Sequence, residues 1–260
     1  MQFPDESARE SVGEIASALQ ERVRSAVPAV HCITNAVAQN FTANVLLAAG
    51  ATPSMTLDRE EIAAFVASCH ALLVNLGTLD RERRAAIEVA VTTAAENDLP
   101  WVLDPVFVDR SASRAAFARE LVARRPAAIR LNRTEFAALS RTPPTPDGAA
   151  AYARETKVVV ALSGETDLVT DGVRIATLAN GHPLMAKITA MGCASSALVA
   201  MTLGVERDAW RAAAGALALI GVAGEIAAES ARGPGSFAVA IIDALHSLDG
   251  PTLLARAKVA

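Results

Sequence analysis

Five short apolar runs each stop at a polar residue, and helix-patterned stretches separate them. The runs are "AVHCIT" (29–34), "ALLVNLG" (71–77), "WVLDPV" (101–106), "AAIRLN" (127–132) and "KVVVALSG" (157–164). Between them lie stretches such as "FTANVLLAAG", "LDREEIAAFVASC" and "RERRAAIEVAVTTAAEN", which read as helices. That alternation predicts βαβ units and an α/β fold with a mostly parallel sheet. "DLVTDGVRIATL" breaks the pattern, because two β-rich pieces flank Asp171-Gly172 as in an antiparallel hairpin. After it the chain reads as almost wholly helical, a layer that would close one face. "RTPPTPDGA" (141–149), with its prolines and Asp-Gly, reads as a loop. Neither repeats nor low-complexity linkers divide the 260 residues, so one α/β domain over 1–260 is expected.

Composition narrows the partners. With 52% apolar and 20% charged residues the chain is globular rather than disordered. A net charge of −4 argues against nucleic acid or an anionic membrane as the main partner. Small phosphorylated ligands stay open, since a few local donors can hold a phosphate. Three cysteines (Cys32, Cys69, Cys193) and a polar, acidic opening, "MQFPDESARE", point to a reducing cytoplasm. The longest apolar run, "AAAGALALIGVAG" between Arg211 and Glu225, is too short to span a bilayer and reads as a core helix. The four histidines lack ligand spacing with each other or with cysteine, so a zinc site is not expected.

In open α/β sheets, ligands bind beyond the carboxyl ends of the strands. Thr34-Asn35, Asn75, Asp104, Asn132 and Ser163 would then face one cleft, although each alone could simply mark where a strand stops. Asp104 precedes Pro105, which leaves its carboxylate at a strand tip. Asp104 and Glu135 are hard oxygen donors suited to Mg²⁺. The Asn132–Glu135 spacing fits a helix capping box equally well. Ser163-Gly164-Glu165 is either a phosphate contact or an ordinary turn. "KITAMGCASSALVAM" (187–201) looks like a helix start built to receive an anion, with Ala190 and Met191 where glycine or a small polar residue would be usual.

The stretches "VHCITNAVAQNFTANVLLAAGATPSM", "NLGTL", "PWVLDPV", "PAAIRLNRTEF", "VVVALSGETDLVTDG", "GHPLMAKIT", "GC" and "GPGSF" occur in order and cover nearly the whole chain. In them the sequence resembles the hydroxyethylthiazole kinases of the ribokinase-like superfamily. The resemblance implies transfer of the ATP γ-phosphate to the primary hydroxyl of 4-methyl-5-(2-hydroxyethyl)thiazole in thiamine salvage. It also implies a ribokinase-like α/β sheet with helices on both faces, and a homotrimer with substrate sites between subunits. Position by position, it puts Asn35 and Met55 at the thiazole, and Ala190 and Gly192 in the anion hole that receives the substrate. Arg130, Asn132 and Ser163 would contact ATP, and Asp104 and Glu135 would organise Mg²⁺. Cys193 stands where sugar-kinase relatives have an aspartate base. A helix opening at Gly192 would lower the Cys193 pKa and let its thiolate take the substrate proton.

Four departures from the family pattern fall around the implied chemistry. Ala190-Met191-Gly192-Cys193 replaces Gly-(Thr/Ala)-Gly-Cys, and Leu131 replaces the glycine after the arginine of "IRGN". "FVDRS", with Phe107, Asp109 and Arg110, replaces a small glycine-containing stretch, and "RTPPTPDG" replaces a glycine-led segment. Ala190 would strain if the position uses φ > 0, Met191 would narrow the pocket, and Phe107 and Arg110 would refill space near the phosphates. On this reading, the double substitution Ala190→Gly, Met191→Thr should raise turnover by at least about tenfold. The alternatives are a catalytically weakened ligand-binding homologue and a ribokinase-like kinase of another small alcohol.

Overall fold

The computed structural model describes residues 10–259, so residues 1–9 of the polar opening stretch lie outside it. The elements run α1 (Val12–Ala26), β1 (Ala29–Ile33), α2 (Gln39–Ala49), β2 (Thr52–Ser54), α3 (Ile62–Ala67) and β3 (Ala71–Asn75). Next come α4 (Arg81–Glu96), β4 (Trp101–Asp104), α5 (Ala112–Ala123), β5 (Ala128–Asn132), α6 (Arg133–Ser140) and α7 (Pro146–Thr156). The chain ends with β6 (Val159–Ser163), β7 (Asp167–Thr170), β8 (Ile175–Leu178), α8 (Met191–Leu203), α9 (Ala209–Ser230), α10 (Pro234–Ser247) and α11 (Gly250–Arg256). A 3₁₀ turn, Pro183–Lys187, lies between β8 and α8.

The strands form one sheet in the order β2-β1-β3-β4-β5-β6-β7-β8. Pairs from β2 to β6 are parallel, whereas β6-β7 and β7-β8 are antiparallel. The expected hairpin is therefore present, and its first strand also folds back on β6. Strand alternation divides the core in two. Leu72, Val74, Leu103, Ile129 and Leu162 face the layer that holds α3 to α7. Cys32, Leu73, Val102, Ala128 and Ala161 face α2, α8 and α9, with α1 and α10 packed outside α9.

Two elements differ from their sequence reading, and a third, β2, has none. β2 is a three-residue edge strand containing Pro53, a residue tolerated there because an edge leaves one side of the backbone unpaired. The stretch 57–69 yields only the six-residue α3, because a turn at Asp58 delays the helix and Ser68 ends it. Part of the 141–149 loop is helix: Thr145 caps α7, Pro146 takes its first position, and Asp147 and Gly148 lie in its first turn. Gly148 is required there, since a Cβ would sit 2.2 Å from the Pro143 carbonyl oxygen.

The longest apolar run lies within the 22-residue α9, which by length and composition could cross a membrane. Its apolar window is nevertheless 78% buried within this fold, against α1, α8 and α10, so it is a core helix as expected, though longer than the run alone implies.

Candidate active site

The parallel strands end at a cleft of about 1030 Å³. β4, β5 and β6 bring Asp104, Arg130, Asn132 and Ser163 to it, the first turn of α6 adds Glu135, and the opening of α8 adds Ala190, Gly192 and Cys193. Asn35 sits behind the wall with its side-chain amide 3.2 Å from the Cys193 sulfur. Met55 does not line this cleft; it follows the edge strand β2 and packs, half-buried, against the α2 side of the core. Nine of the ten sequence candidates thus converge, and Met55 stands apart.

The deep end is a closed polar network. Asn75, fully buried, donates to the Asp104 Oδ2 at 2.6 Å, and Ser196 Oγ donates to the same oxygen at 2.9 Å. Asn75 Oδ1 accepts from Gly77 N at 2.9 Å and from Asn35 Nδ2 at 3.4 Å. Burial pushes the Asp104 carboxyl up to about 6, opposed by Arg130 and reinforced by Glu135. In the sequence Asn75 is one strand-end residue among several, yet in the fold it is the hub. Ser196, one turn into α8, carries no sequence signal at all.

Cys193 differs from expectation. Burial and the Asp104 charge push its thiol up to about 11, and the hydrogen bonds from Asn75 and Asn35 offset this only in part. The helix opening does not outweigh desolvation, so the group is a neutral thiol at pH 7 rather than a thiolate. With Asn35 donating to its sulfur, Cys193 keeps its own proton to donate.

Asn132 and Glu135 do form the capping box: Asn132 Oδ1 accepts from Glu135 N at 2.9 Å, and Glu135 Oε2 accepts from Asn132 N at 3.0 Å. Glu135 Oε1 also accepts from Phe107 N at 3.0 Å, so this carboxylate joins the loop after β4 to α6 while lining the cleft. No group of three or more His, Cys, Asp or Glu suited to a metal occurs among the described residues. Mg²⁺ needs no such cage, because it keeps several waters and takes one or two carboxylates plus substrate phosphates. Asp104 and Glu135, on one cleft and within each other's field, fit that requirement.

Ser163 is both a turn residue and a cleft residue. Its hydroxyl donates to the Leu131 carbonyl at 3.3 Å, and Gly164 N donates to Asp167 Oδ1 at 2.9 Å. Arg130 lies directly over Gly192, where a Cβ would come within 2.7 Å of its Nη1. Its Nε is buried without a hydrogen-bond partner.

The four departures separate into two kinds. Ala190 adopts φ 71°, the left-handed conformation that a glycine would take without strain, and Phe107, a cleft residue 58% exposed, adopts φ 59°. Leu131 instead points into the α3–α7 side of the core, whereas Met191, only 7% exposed, packs into the other side while still lining the cleft. Arg110 turns outward to Asp109 and does not line the cleft. The "RTPPTPDG" segment does not reach it either.

A family model, that of the hydroxyethylthiazole kinase family, matches residues 20–250. The chain belongs to that family. It is 43% identical, over 94% of both chains, to a probable hydroxyethylthiazole kinase of Agrobacterium fabrum. Its fold matches the hydroxyethylthiazole kinase structure of Pyrococcus horikoshii with a TM-score of 0.90 and 34% identity, over 95% of this chain and 98% of that one. A ribokinase-like superfamily protein of Enterococcus faecalis shares the fold at a TM-score of 0.68 and 13% identity, over 96% of this chain and 100% of that one. The hydroxyethylthiazole kinase family is thus mounted here on a ribokinase-like α/β sheet with one antiparallel end.

Proposed function

We propose that this protein transfers the γ-phosphate of ATP to the primary hydroxyl of 4-methyl-5-(2-hydroxyethyl)thiazole, with Mg²⁺, as one ribokinase-like domain in thiamine salvage. The observation that carries this is the convergence of Asp104, Arg130 and Cys193 at the opening of α8, in a chain of this family. Phosphoryl transfer passes through a loose transition state, so positioning and charge neutralisation outweigh proton abstraction. A protonated Cys193 is compatible with that chemistry: it and Asn35 would orient the acceptor hydroxyl. Arg130 and the backbone N–H groups at the helix opening at Gly192 would hold the transferring group. Asn132 and Ser163 would flank the phosphate chain. Asp104 and Glu135 would hold Mg²⁺, which when bound neutralises phosphate charge.

The nucleotide would extend from Arg130 toward β6 and the segment 179–188, where Leu217 and Ile220 supply an apolar floor for its base. The acceptor would lie on the β1 side, near Asn35. Met55 has no place in the cleft of its own chain, which favours a homotrimer whose sites lie between subunits. Three free cysteines suit a reducing cytoplasm.

ADP release with ATP, Mg²⁺ and a panel of thiazole, pyrimidine and sugar alcohols tests this reading. Turnover of the thiazole alcohol is expected. Turnover of another alcohol only, or of none, would refute it. Sedimentation should give a mass near three chains, and a concentration-independent monomer would remove the shared site.

A further inference from the structure

The far wall of the cleft is not held by strand ends. It is the segment Ala179–Met185, and three residues of α9 hold it, of which Gly221 also lines the cleft. At Gly221 a Cβ would sit 2.7 Å from the Asn180 Cβ and 3.1 Å from its backbone, so the loop rests directly on the helix. At Gly224 a Cβ would meet the Met185 sulfur at 2.6 Å. Glu225 lies four residues beyond Gly221, on the same helix face. Its Oε1 accepts from Asn180 Nδ2 at 3.1 Å, from Gly181 N at 3.2 Å and from Lys258 Nζ at 2.9 Å.

The C-terminal tail closes the same knot. Asn180 Oδ1 accepts from Lys258 N at 2.7 Å, its Nδ2 donates to the Arg256 carbonyl at 2.8 Å, and Ala179 N donates to the Lys258 carbonyl at 3.0 Å. Val259 forms an antiparallel bridge to Leu178, the last residue of β8. Asn180 is only 8% exposed, so its amide is used up by Glu225 and the tail rather than offered to a ligand. Gly181 adopts φ 137°, a conformation that frees its N–H for Glu225 and that few side chains tolerate. No part of the phosphoryl-transfer chemistry uses Glu225. It is a partly buried carboxylate with three donors on one oxygen, behind the wall that the nucleotide would touch.

We propose that Glu225 is a positioning residue for the nucleotide: it fixes the Asn180–Gly181 wall on α9 and locks the C-terminal tail, residues 256–259, behind it. The inference rests on the reading that ATP occupies this end of the cleft. Charge-assisted hydrogen bonds are the strong ones, and a loop held by two of them, with a third from the tail, is presented to a ligand already ordered. Removing the carboxylate charge should loosen the wall without touching the network around Asp104.

The test uses Glu225→Gln in the full chain, with Lys258→Met as a second variant that removes only the exposed donor. ATP affinity is measured by calorimetry without acceptor, kcat and both KM values by ADP release, and the Gly181 N–H by hydrogen exchange. In Glu225→Gln, ATP affinity should fall by about fivefold or more and Gly181 should exchange faster. Its kcat and thiazole KM should stay within about twofold, a split that general destabilisation would not produce. Lys258→Met should show the same pattern at about twofold. Unchanged ATP affinity despite faster Gly181 exchange would overturn the proposal, and so would parallel losses in kcat and both KM values. If Glu225→Gln does not fold, Lys258→Met decides, and unchanged ATP affinity there refutes it. Wild-type protein that bound no ATP would overturn the functional reading and this inference together. ATP binding without thiazole turnover would refute only the acceptor, and the affinity comparison would still decide the role of Glu225.

Discussion

The two ends of the cleft are built in different ways. The deep end is made of side chains at strand tips: Asn35, Asn75 and Asp104 come from the ends of β1, β3 and β4, closed by Ser196 and Cys193 of α8. The outer end is made of backbone: the turn at Gly164, the segment 179–190, and loop residues whose conformations matter more than their side chains. A sheet places strand-end residues with little freedom, so the deep end is rigid and sharply polar. Loops carry no such constraint. Their shape is set by glycines, by left-handed residues, and by contacts from elements far along the chain such as α9.

The same division explains what is legible in the sequence. Polar residues that close apolar runs stand out, so Asn35, Asp104, Asn132 and Ser163 can be named from the pattern alone. Arg130 and Cys193 come from the family resemblance. Ser196 is one serine in a helix, and only the packing of α8 across β1, β3 and β4 aims it at Asp104. Asn180 and Glu225 are separated by 45 residues and have no pattern in common. Capping and metal readings of Glu135 are equally open because one carboxylate can cap α6 and still face the cleft. The expected Cys193 thiolate fails because burial, invisible in sequence, outweighs the helix opening.

The largest effect should come from the deep end. Asp104→Asn keeps the size and one acceptor for Asn75 and Ser196 but removes the charge. Turnover should fall about 10²–10³-fold, the scale for losing one preorganised electrostatic group, with little change in melting temperature. Steady-state rates across a Mg²⁺ titration check this, and a kcat within about threefold of wild type would show that the network is only structural. At the boundary between the two ends, Gly192→Ala puts a Cβ where Arg130 now lies. The guanidinium must shift, and the KM for ATP should rise about tenfold while that for the thiazole moves less. Equal changes in both would mean that Arg130 does not divide the cleft.

A third test concerns the support of the β1–β2 edge, which carries Met55. His31 is fully buried, 2.8 Å from Ser54 Oγ and 3.1 Å from the Thr56 carbonyl, and burial lowers its pKa to about 4. Between that value and its ordinary 6.5, the unfolded chain binds a proton that the folded chain refuses. This contribution is at its full value above pH 6.5, and stability falls as the pH drops toward 4, by up to about 1.4 kcal/mol per unit. Urea unfolding at pH 7 and pH 5 should show this loss, and His31→Gln should remove its part of the pH slope. An unchanged slope would place the acid sensitivity elsewhere.

The smallest effect is the most informative about the loop end. Read from the sequence, Ala190 spoils the anion hole, so that glycine there, with threonine at 191, would restore at least about tenfold in turnover. The structure argues otherwise. Ala190 already holds φ 71° and ψ 1°, so the loop has the shape that glycine would give, at the expense of strain in the alanine. Met191 lines the cleft but is only 7% exposed, so little of its surface narrows the pocket. The strain is a stability effect: a left-handed alanine costs about 1–2 kcal/mol, and glycine returns part of that as extra freedom in the unfolded chain. Ala190→Gly alone should therefore stabilise the fold by about 1 kcal/mol or less, a rise of about 2–4 °C in melting temperature at most. Its kcat on the thiazole alcohol should change by less than about threefold, a barrier change below about 0.7 kcal/mol. A tenfold gain in kcat without a gain in melting temperature would reverse this assignment. The loop would then be misaimed in the working enzyme, and side chains as well as backbone would decide how the outer end meets the phosphate.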